Sequence, residues 1–230
     1  CRPLVIEVDD LLCPEALRAE TLGGIAYDAL LAEGDTGFAW QGPADEWDAI
    51  SLNYTSGTTG RPKGVVYHHR GAHLLAIGNV LSAELPRHPV YLWTLPMFHC
   101  NGWCFPWTIV AQAGTQVCLR AVRGPDMWRL MADHGVTHLC GAPIVMATLL
   151  ATPEAEKRPL ARGPKFITAG APPPEAVLAA MQAAGFTVCH VYGLTEVYGP
   201  AVVNEPQEAW ASLPQDRQAA MAARQGVRYQ

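Results

Sequence analysis

From Ala49 onward, short runs rich in β-branched and aromatic residues alternate with longer stretches whose apolar residues recur at helical spacing. The runs 49–54, 90–95, 115–119, 136–139, 165–168 and 186–192 are punctuated by glycine and proline, and they predict strands. Pro125 opens a stretch that ends at His134 before Gly135, and Pro174 opens one that ends before Gly185. Proline just inside the start and glycine just past the end mark both as helices. The stretch 69–85 carries Leu74, Ile77 and Leu81 at helical spacing, and 102–113 is apolar up to Gly114 with Pro106 near its start. Such alternation predicts an α/β fold of mainly parallel sheets flanked by helices.

Residues 1–48 are less regular. LVIEV at 4–8 predicts a strand, 13–31 is weakly helical, and a Gly/Asp/Trp-rich linker leads to Ala49. Residues 151–164 form a charged connection containing prolines, and 204–230 is rich in Ala and Gln and partly helical.

Composition narrows the function. Of 230 residues, 50% are hydrophobic and 16% charged, enough apolar surface for a core and too little charge for a disordered chain. The net charge is -5 and no Lys/Arg run is long enough for a nucleic-acid interface or an anionic membrane surface, so the expected partners are small molecules. No uninterrupted apolar stretch approaches the ~20 residues of a membrane span. Seven cysteines, Cys1, Cys13, Cys100, Cys104, Cys118, Cys140 and Cys189, are an odd number in mostly apolar surroundings. They read as buried free thiols of a reducing, cytoplasmic setting rather than a disulfide framework.

Four loops follow predicted strands: TSGTTGRPKG at 55–64, PMFHCNGW at 96–103, GAPPP at 170–174 and GLTE at 193–196. Loops leaving the carboxyl ends of strands are where α/β sheets bind ligands. In the first, Gly57, Gly60 and Gly64 free backbone N–H groups to face one concavity, Thr55, Ser56, Thr58 and Thr59 add hydroxyls, and Lys63 adds a positive charge. That is a polyphosphate cradle. It differs from a Walker A loop, because Arg61 and Pro62 stand between Gly60 and Lys63, and Gly64 follows where a Ser or Thr would be needed. Taken singly, Glu196 also reads as a surface or capping carboxylate, Tyr192 as a core aromatic and His99 as a packing residue. His99, Cys100 and Cys104 lack the second ligand pair of a structural zinc site. His68 and His69 are expected to begin the helix after the phosphate loop.

YTSGTTGRPKG at 54–64, LPMFHCNG at 95–102, GAP at 170–172 and YGLTE at 192–196, in that order, resemble the signature motifs of the AMP-forming synthetase family, which includes acyl-CoA synthetases, luciferases and peptide-synthetase adenylation domains. The resemblance covers residues 49 to about 205. It implies an ATP-binding role for Thr55, Ser56, Gly57, Thr58, Thr59, Gly60 and Lys63 at the β- and γ-phosphates. It implies α-phosphate bonding by Thr195, Mg²⁺ held by Glu196, and a nucleotide pocket formed by Gly170, Ala171, Pro172, Tyr192 and Gly193, with Tyr192 against adenine. A carboxylate oxygen suits a hard cation bridging phosphates. Gly170 is the safest of the backbone contacts, since Ala169 stands where many relatives have a second glycine. His99 would gate the carboxylate, and Trp103 would wall the acyl pocket, with Gly170 also facing the substrate.

The implied reaction is attack of a carboxylate on the α-phosphorus of ATP, then transfer of the acyl group to coenzyme A. No carboxylate lies among Phe98, His99, Cys100, Asn101 and Trp103 to hold an amino group, so an aliphatic acid is favoured. The wording is similar to bacterial short- and medium-chain acyl-CoA synthetases, including methylmercaptopropionate ligases. The family's ribose-binding Asp, hinge and C-terminal Lys do not follow Glu196. Residues 1–230 are therefore expected to be a fragment of the N-terminal adenylation domain, without the mobile C-terminal domain and inactive alone. A homodimer of the full-length protein is left open, as are two other readings: a noncatalytic nucleotide-binding module, and an adenylation domain serving a carrier protein.

Overall fold

A computed structural model describes residues 3–15, 18, 20–56 and 60–229. The chain divides into two compact units, Cys1–Gly42 and Pro43–Gln230. The division falls in the linker expected before Ala49.

In the first unit, β1 (Ile6–Glu7) pairs in parallel with β2 (Ile25–Ala26), and α1 (Tyr27–Ala32) follows directly. Of the stretch expected as helix over 13–31, Ala16, Leu17 and Ala19 lie outside the described residues, and the α-helix of the rest falls at its end. Gly23 and Gly24 interrupt it, and Gly24 backs so closely onto the Val5 carbonyl that an added Cβ would stand 2.5 Å from the oxygen. Backbone approach of this kind selects strand pairing over helix.

The second unit is built on a seven-stranded sheet. Its parallel part consists of β5 (Val90–Trp93), β6 (Thr115–Cys118), β7 (His138–Gly141), β8 (Lys165–Thr168) and β9 (Thr187–Leu194). Two antiparallel strands, β10 (Gly199–Val203) and β11 (Val227–Arg228), extend it in the order β11-β10-β9-β8-β7-β5-β6. Each parallel strand answers to an expected run. β7 begins later than its run, because the Val136 N–H is taken by Met131 O in the cap of the preceding helix. β10 and β11 were not anticipated, for they depend on pairing rather than on an internal apolar pattern.

Alternation along the strands builds two cores. Tyr91, Trp93, Cys140, Ile167 and Cys189 point to one face, where they meet Phe105 and Ile109 of α4 (Phe105–Ala111) and Ala83 after α2 (His69–Ser82). Leu92, Leu139 and Phe166 point to the other, against α5 (Gly124–His134), α6 (Pro143–Leu150) and α7 (Glu175–Ala183). Tyr91 and Phe105 stack at 5.0 Å between ring centroids. Each such fully buried side chain contributes roughly 1.5–3 kcal/mol of transfer free energy. The last helix, α8 (Gln215–Ala222), packs beside α7.

α2 corrects the periodicity from which it was read. Leu74, Ile77 and Leu81 are exposed, while Ala72, Ala76, Gly78 and Asn79 are buried. The helix packs by its small-residue face, which lets α4 come close; bulk did not indicate which side was inside.

The strand β3 (Ala49–Thr55) does not join the main sheet. It pairs antiparallel with β4 (Lys63–His68) in a separate hairpin whose turn is the Gly/Ser/Thr loop. Lys63 is therefore the first residue of a strand, and His68, its last, caps α2, the His68 Nδ1 accepting from Gly71 N–H at 3.0 Å. Among the cysteines, Cys100, Cys104, Cys140 and Cys189 are buried and free as expected, Cys13 is half-buried, Cys118 is exposed, and Cys1 lies outside the described residues.

Candidate functional site

The sheet's order reverses at β5, which lies between β6 and β7 although it precedes both in the chain. Open α/β sheets bind ligands beyond the carboxyl ends of the strands at such a point. The loops after β5, β7 and β8 open there onto two cavities.

The first cavity, about 480 Å³, is polar on one side. Of the expected site residues, it brings together Thr55, Ser56, Lys63, His99, Trp103, Gly170, Gly193, Thr195 and Glu196. Gly57, Thr58 and Thr59 lie outside the described residues. Gly60, Ala171, Pro172 and Tyr192 do not line it, and Tyr192 is exposed on β9. Cys100, Ala169, Leu194, Gly199 and Pro200 complete the lining without having been anticipated. Ala169 was legible only as a departure from the family's glycine, and Pro200 belongs to the unforeseen β10.

The second cavity, about 580 Å³, is mainly apolar and includes Leu95, Phe98, Val122, Ile144 and Val145. Four residues, His99, Trp103, Ala169 and Gly170, line both cavities and make the wall between them. Val122, Ile144 and Val145 carried no sequence signal; Val122 comes from the loop between β6 and α5, and Ile144 and Val145 from the first turn of α6, just after β7. Phe98 is 83% exposed and Ile144 70%, so the apolar cavity opens outward.

Glu196 follows Thr195 in a 3-10 turn, Thr195–Val197, that continues β9. Tyr67 of β4, wholly buried, donates its hydroxyl to Thr195 O at 2.7 Å. Its ring stacks on Tyr198 at 4.0 Å, and the Tyr198 hydroxyl in turn accepts from His68 N–H at 3.1 Å. The base of the β3–β4 hairpin is thus clamped to the Thr195–Glu196 turn. Burial, with Cys100 and Cys104 nearby, pushes the Tyr67 phenol well above its ordinary value, so it stays a donor. Gly193 has no room for a side chain, since a Cβ would stand 1.7 Å from Gly199 O where β9 and β10 meet.

The segment after β5 is unusual. Between Cys100 and Cys104 every residue has positive φ: 49° at Cys100, 42° at Asn101, 57° at Gly102, 54° at Trp103 and 61° at Cys104. The element α3 (Cys100–Trp103) is therefore a single turn wound left-handed, followed by a right-handed α4 with Pro106 in its first turn. Left-handed winding costs roughly 1–2 kcal/mol per L-residue, with Asn among the better tolerated. Gly102 is packed so tightly that a Cβ would meet the Trp93 ring at 2.7 Å. The Cys100 thiol and the Thr195 hydroxyl share a hydrogen bond at 3.1 Å, and Cys104 Sγ donates to Tyr198 O at 3.6 Å. Burial raises both thiols, Cys104 to about 12, which keeps them protonated packing groups rather than nucleophiles.

Chemically, the polar cavity sets a cation, hydroxyls and a carboxylate around one space, as a polyphosphate with a divalent metal requires. No group of three His, Cys, Asp or Glu side chains gathers anywhere among the described residues. Glu196 is the carboxylate lining this cavity, the donor type that would hold a Mg²⁺ if one is bound.

Comparison with known proteins agrees with this geometry. Residues 5–226 match the AMP-binding enzyme family. The chain is 50% identical over 231 residues to the peroxisomal acetate/butyrate–CoA ligase AAE7 of Arabidopsis thaliana, a match that covers 99% of this chain and 41% of that relative. The N-terminal domain of FACL13 from Mycobacterium tuberculosis, solved with an inhibitor bound, superposes with a TM-score of 0.71 at 27% identity, covering 82% of this chain and 48% of that one. The O-succinylbenzoate coenzyme A synthetase MenE of Bacillus subtilis, solved with ATP and magnesium ion, gives 0.67 at 26% identity, covering 83% and 39%. Motifs, sheet order and matched span all lead to one conclusion: the chain belongs to the family of AMP-binding enzymes.

Proposed function

We propose that this chain forms the nucleotide- and acid-binding part of a CoA ligase that activates a short- or medium-chain carboxylic acid with ATP. The observation that carries the reading is the shared wall: a polar cavity with Ser56, Lys63, Thr195 and Glu196 and an apolar one with Leu95, Ile144 and Val145 meet at His99, Trp103, Ala169 and Gly170. An acid with its tail in the apolar cavity would bring its carboxylate to the wall, where the α-phosphate is reached from the other side. The relative's name, acetate/butyrate–CoA ligase, supports a short acid.

In this reading Lys63, with the loop's hydroxyls, binds the phosphates that leave as pyrophosphate, and the Thr195 hydroxyl orients the α-phosphate. Mg²⁺ held at Glu196 would supply charge neutralisation between the two anions. A carboxylate needs no general base, so His99 orients and shields it from water. Positioning two anions for in-line attack is the main catalytic task. The thiol of coenzyme A then attacks the acyl carbon of the resulting acyl-adenylate, forming the thioester as the acyl–phosphate bond breaks and AMP leaves. Peroxisome stands in the name of the relative, and this tells against assuming a cytoplasmic location. No helix among the described residues is long and apolar enough to cross a membrane.

The chain spans 41% of the length of that relative, and we assign turnover to a longer protein. Pyrophosphate release by the full-length protein with ATP and a series of unbranched acids tests the activity; no release with any acid overturns it. The same assay on residues 1–230 alone should be silent, and sustained turnover there would overturn the fragment reading.

A further inference from the structure

The left-handed turn raises a question that the reaction does not answer: what holds it. Its last two carbonyls are taken by buried side chains. Asn79 of α2, 0% exposed, donates from Nδ2 to Trp103 O at 2.8 Å and to Thr108 Oγ1 at 3.1 Å. Thr108 Oγ1 donates to Cys104 O at 2.9 Å. The remaining polar atom of Asn79, Oδ1, accepts from the Tyr229 hydroxyl at 2.8 Å. Every Asn79 group is thus paired, as burial demands. At its other end the turn is tied to β3: Asn101 Oδ1 accepts from Ser51 Oγ at 2.7 Å and from Asn53 Nδ2 at 2.8 Å.

Both anchors belong to one unit. β3 leads into the phosphate loop, and α2 leaves the hairpin that contains it. Trp103, inside the turn, and His99, immediately before it, stand on the wall shared by the two cavities. We propose that Asn79 and Asn101 are positioning residues which hold the left-handed turn against the phosphate hairpin, and that through Trp103 they set the length of acid the apolar cavity accepts. The inference rests on the carboxylate-activating reading above.

The physical reason is the size of the strain. Left-handed backbone over several L-residues relaxes once its hydrogen bonds are removed, and Trp103 moves with it. A shift of one methylene in an apolar pocket alters discrimination between acids by about tenfold or more. A role in folding alone would lower stability and slow all acids equally.

The test compares full-length wild type with Asn79→Leu, Asn101→Ala and Asn101→Asp. Pyrophosphate release is measured for acetate, butyrate, hexanoate and octanoate, and the KM for ATP is taken alongside. Asn79→Leu should change the ratio of kcat/KM between octanoate and butyrate by about tenfold in favour of the longer acid. Asn101→Ala should move it the same way by less, both with the KM for ATP nearly constant. Asn101→Asp keeps the acceptor oxygen for Ser51 and Asn53 and should restore the wild-type ratio. A uniform loss across acids, or an Asp variant that behaves like Ala, overturns the proposal. Should Asn79→Leu fail to fold, the half-buried Asn101 pair decides alone. A wild type inactive with every acid overturns the activity itself and this inference with it, whereas an active wild type with unchanged variant ratios overturns only the inference.

Discussion

The β3–β4 hairpin and the left-handed turn both contribute to the same polar cavity, yet they are built by opposite means. The hairpin has an exposed outer face, where Leu52, Tyr54 and Val66 are 55%, 69% and 57% accessible, and its connecting segment is rich in glycine and hydroxyls with Lys63 at its end. The turn is buried, with Cys100, Gly102, Trp103 and Cys104 all inside, and it adopts a winding that its own residues disfavour. Groups meant to meet a charged ligand can act from a solvated segment, because charge and donors reach outward. A wall that shapes an apolar cavity must be fixed by packing and by satisfied hydrogen bonds. The strain of the turn is therefore offset by Asn79, Asn101 and the close fit of Gly102 to Trp93.

That contrast can be broken or sharpened by substitution. The largest effect belongs to the chemistry where both regions meet. Glu196→Gln in the full-length protein should lower the rate of pyrophosphate release by about 100-fold or more at fixed Mg²⁺, as loss of one preorganised electrostatic group does. A change of only a few-fold would remove Glu196 from the reaction. Next comes the rigidity of the turn. Gly102→Ala adds a Cβ at φ 57° against the Trp93 ring and should cost about 2–4 kcal/mol in denaturant unfolding. A neutral result would mean that the turn is not held where it stands.

Smaller is the link between the regions. Tyr67→Phe removes the hydroxyl that donates to Thr195 O and should cost about 1 kcal/mol, measured by denaturant unfolding, with a several-fold slower pyrophosphate release. Smallest is a change on the outer face of the hairpin. Leu52→Thr should alter stability by no more than about 0.5 kcal/mol, since the side chain is more than half exposed. A loss of several kcal/mol would show the hairpin to be packed like the turn, and the contrast would fail.

Much of the architecture was legible because it rests on local signals. Pro125 and Gly135 bracket α5, and Lys165–Thr168 is strand β8 as read. Where local pattern and partner disagreed, reading failed. Leu74, Ile77 and Leu81 have the spacing of a buried face, but the small side chains of Ala72 and Ala76 decide how α2 approaches α4. Lys63–His68 has no alternation to mark it as a strand and becomes one by pairing with β3. Ile144 and Val145 carried no sequence signal, and they reach the site because α6 begins directly after β7, at the carboxyl end of the sheet.

The order of residues by itself determined which groups are available: a lysine and hydroxyls in one glycine-rich loop, a Thr-Glu pair after a strand, and a histidine and tryptophan in an apolar run. Those are properties of side chains and short spacing. The tertiary structure decided how they are shared. It set His99, Trp103, Ala169 and Gly170 between two cavities, tied Thr195 to Tyr67 across 128 positions, and wound Cys100–Cys104 left-handed. No local preference predicts that winding. It persists because Asn79, Ser51 and Asn53, distant in sequence, satisfy its backbone and the Asn101 side chain from outside, and such long-range compensation exists only once the chain has folded.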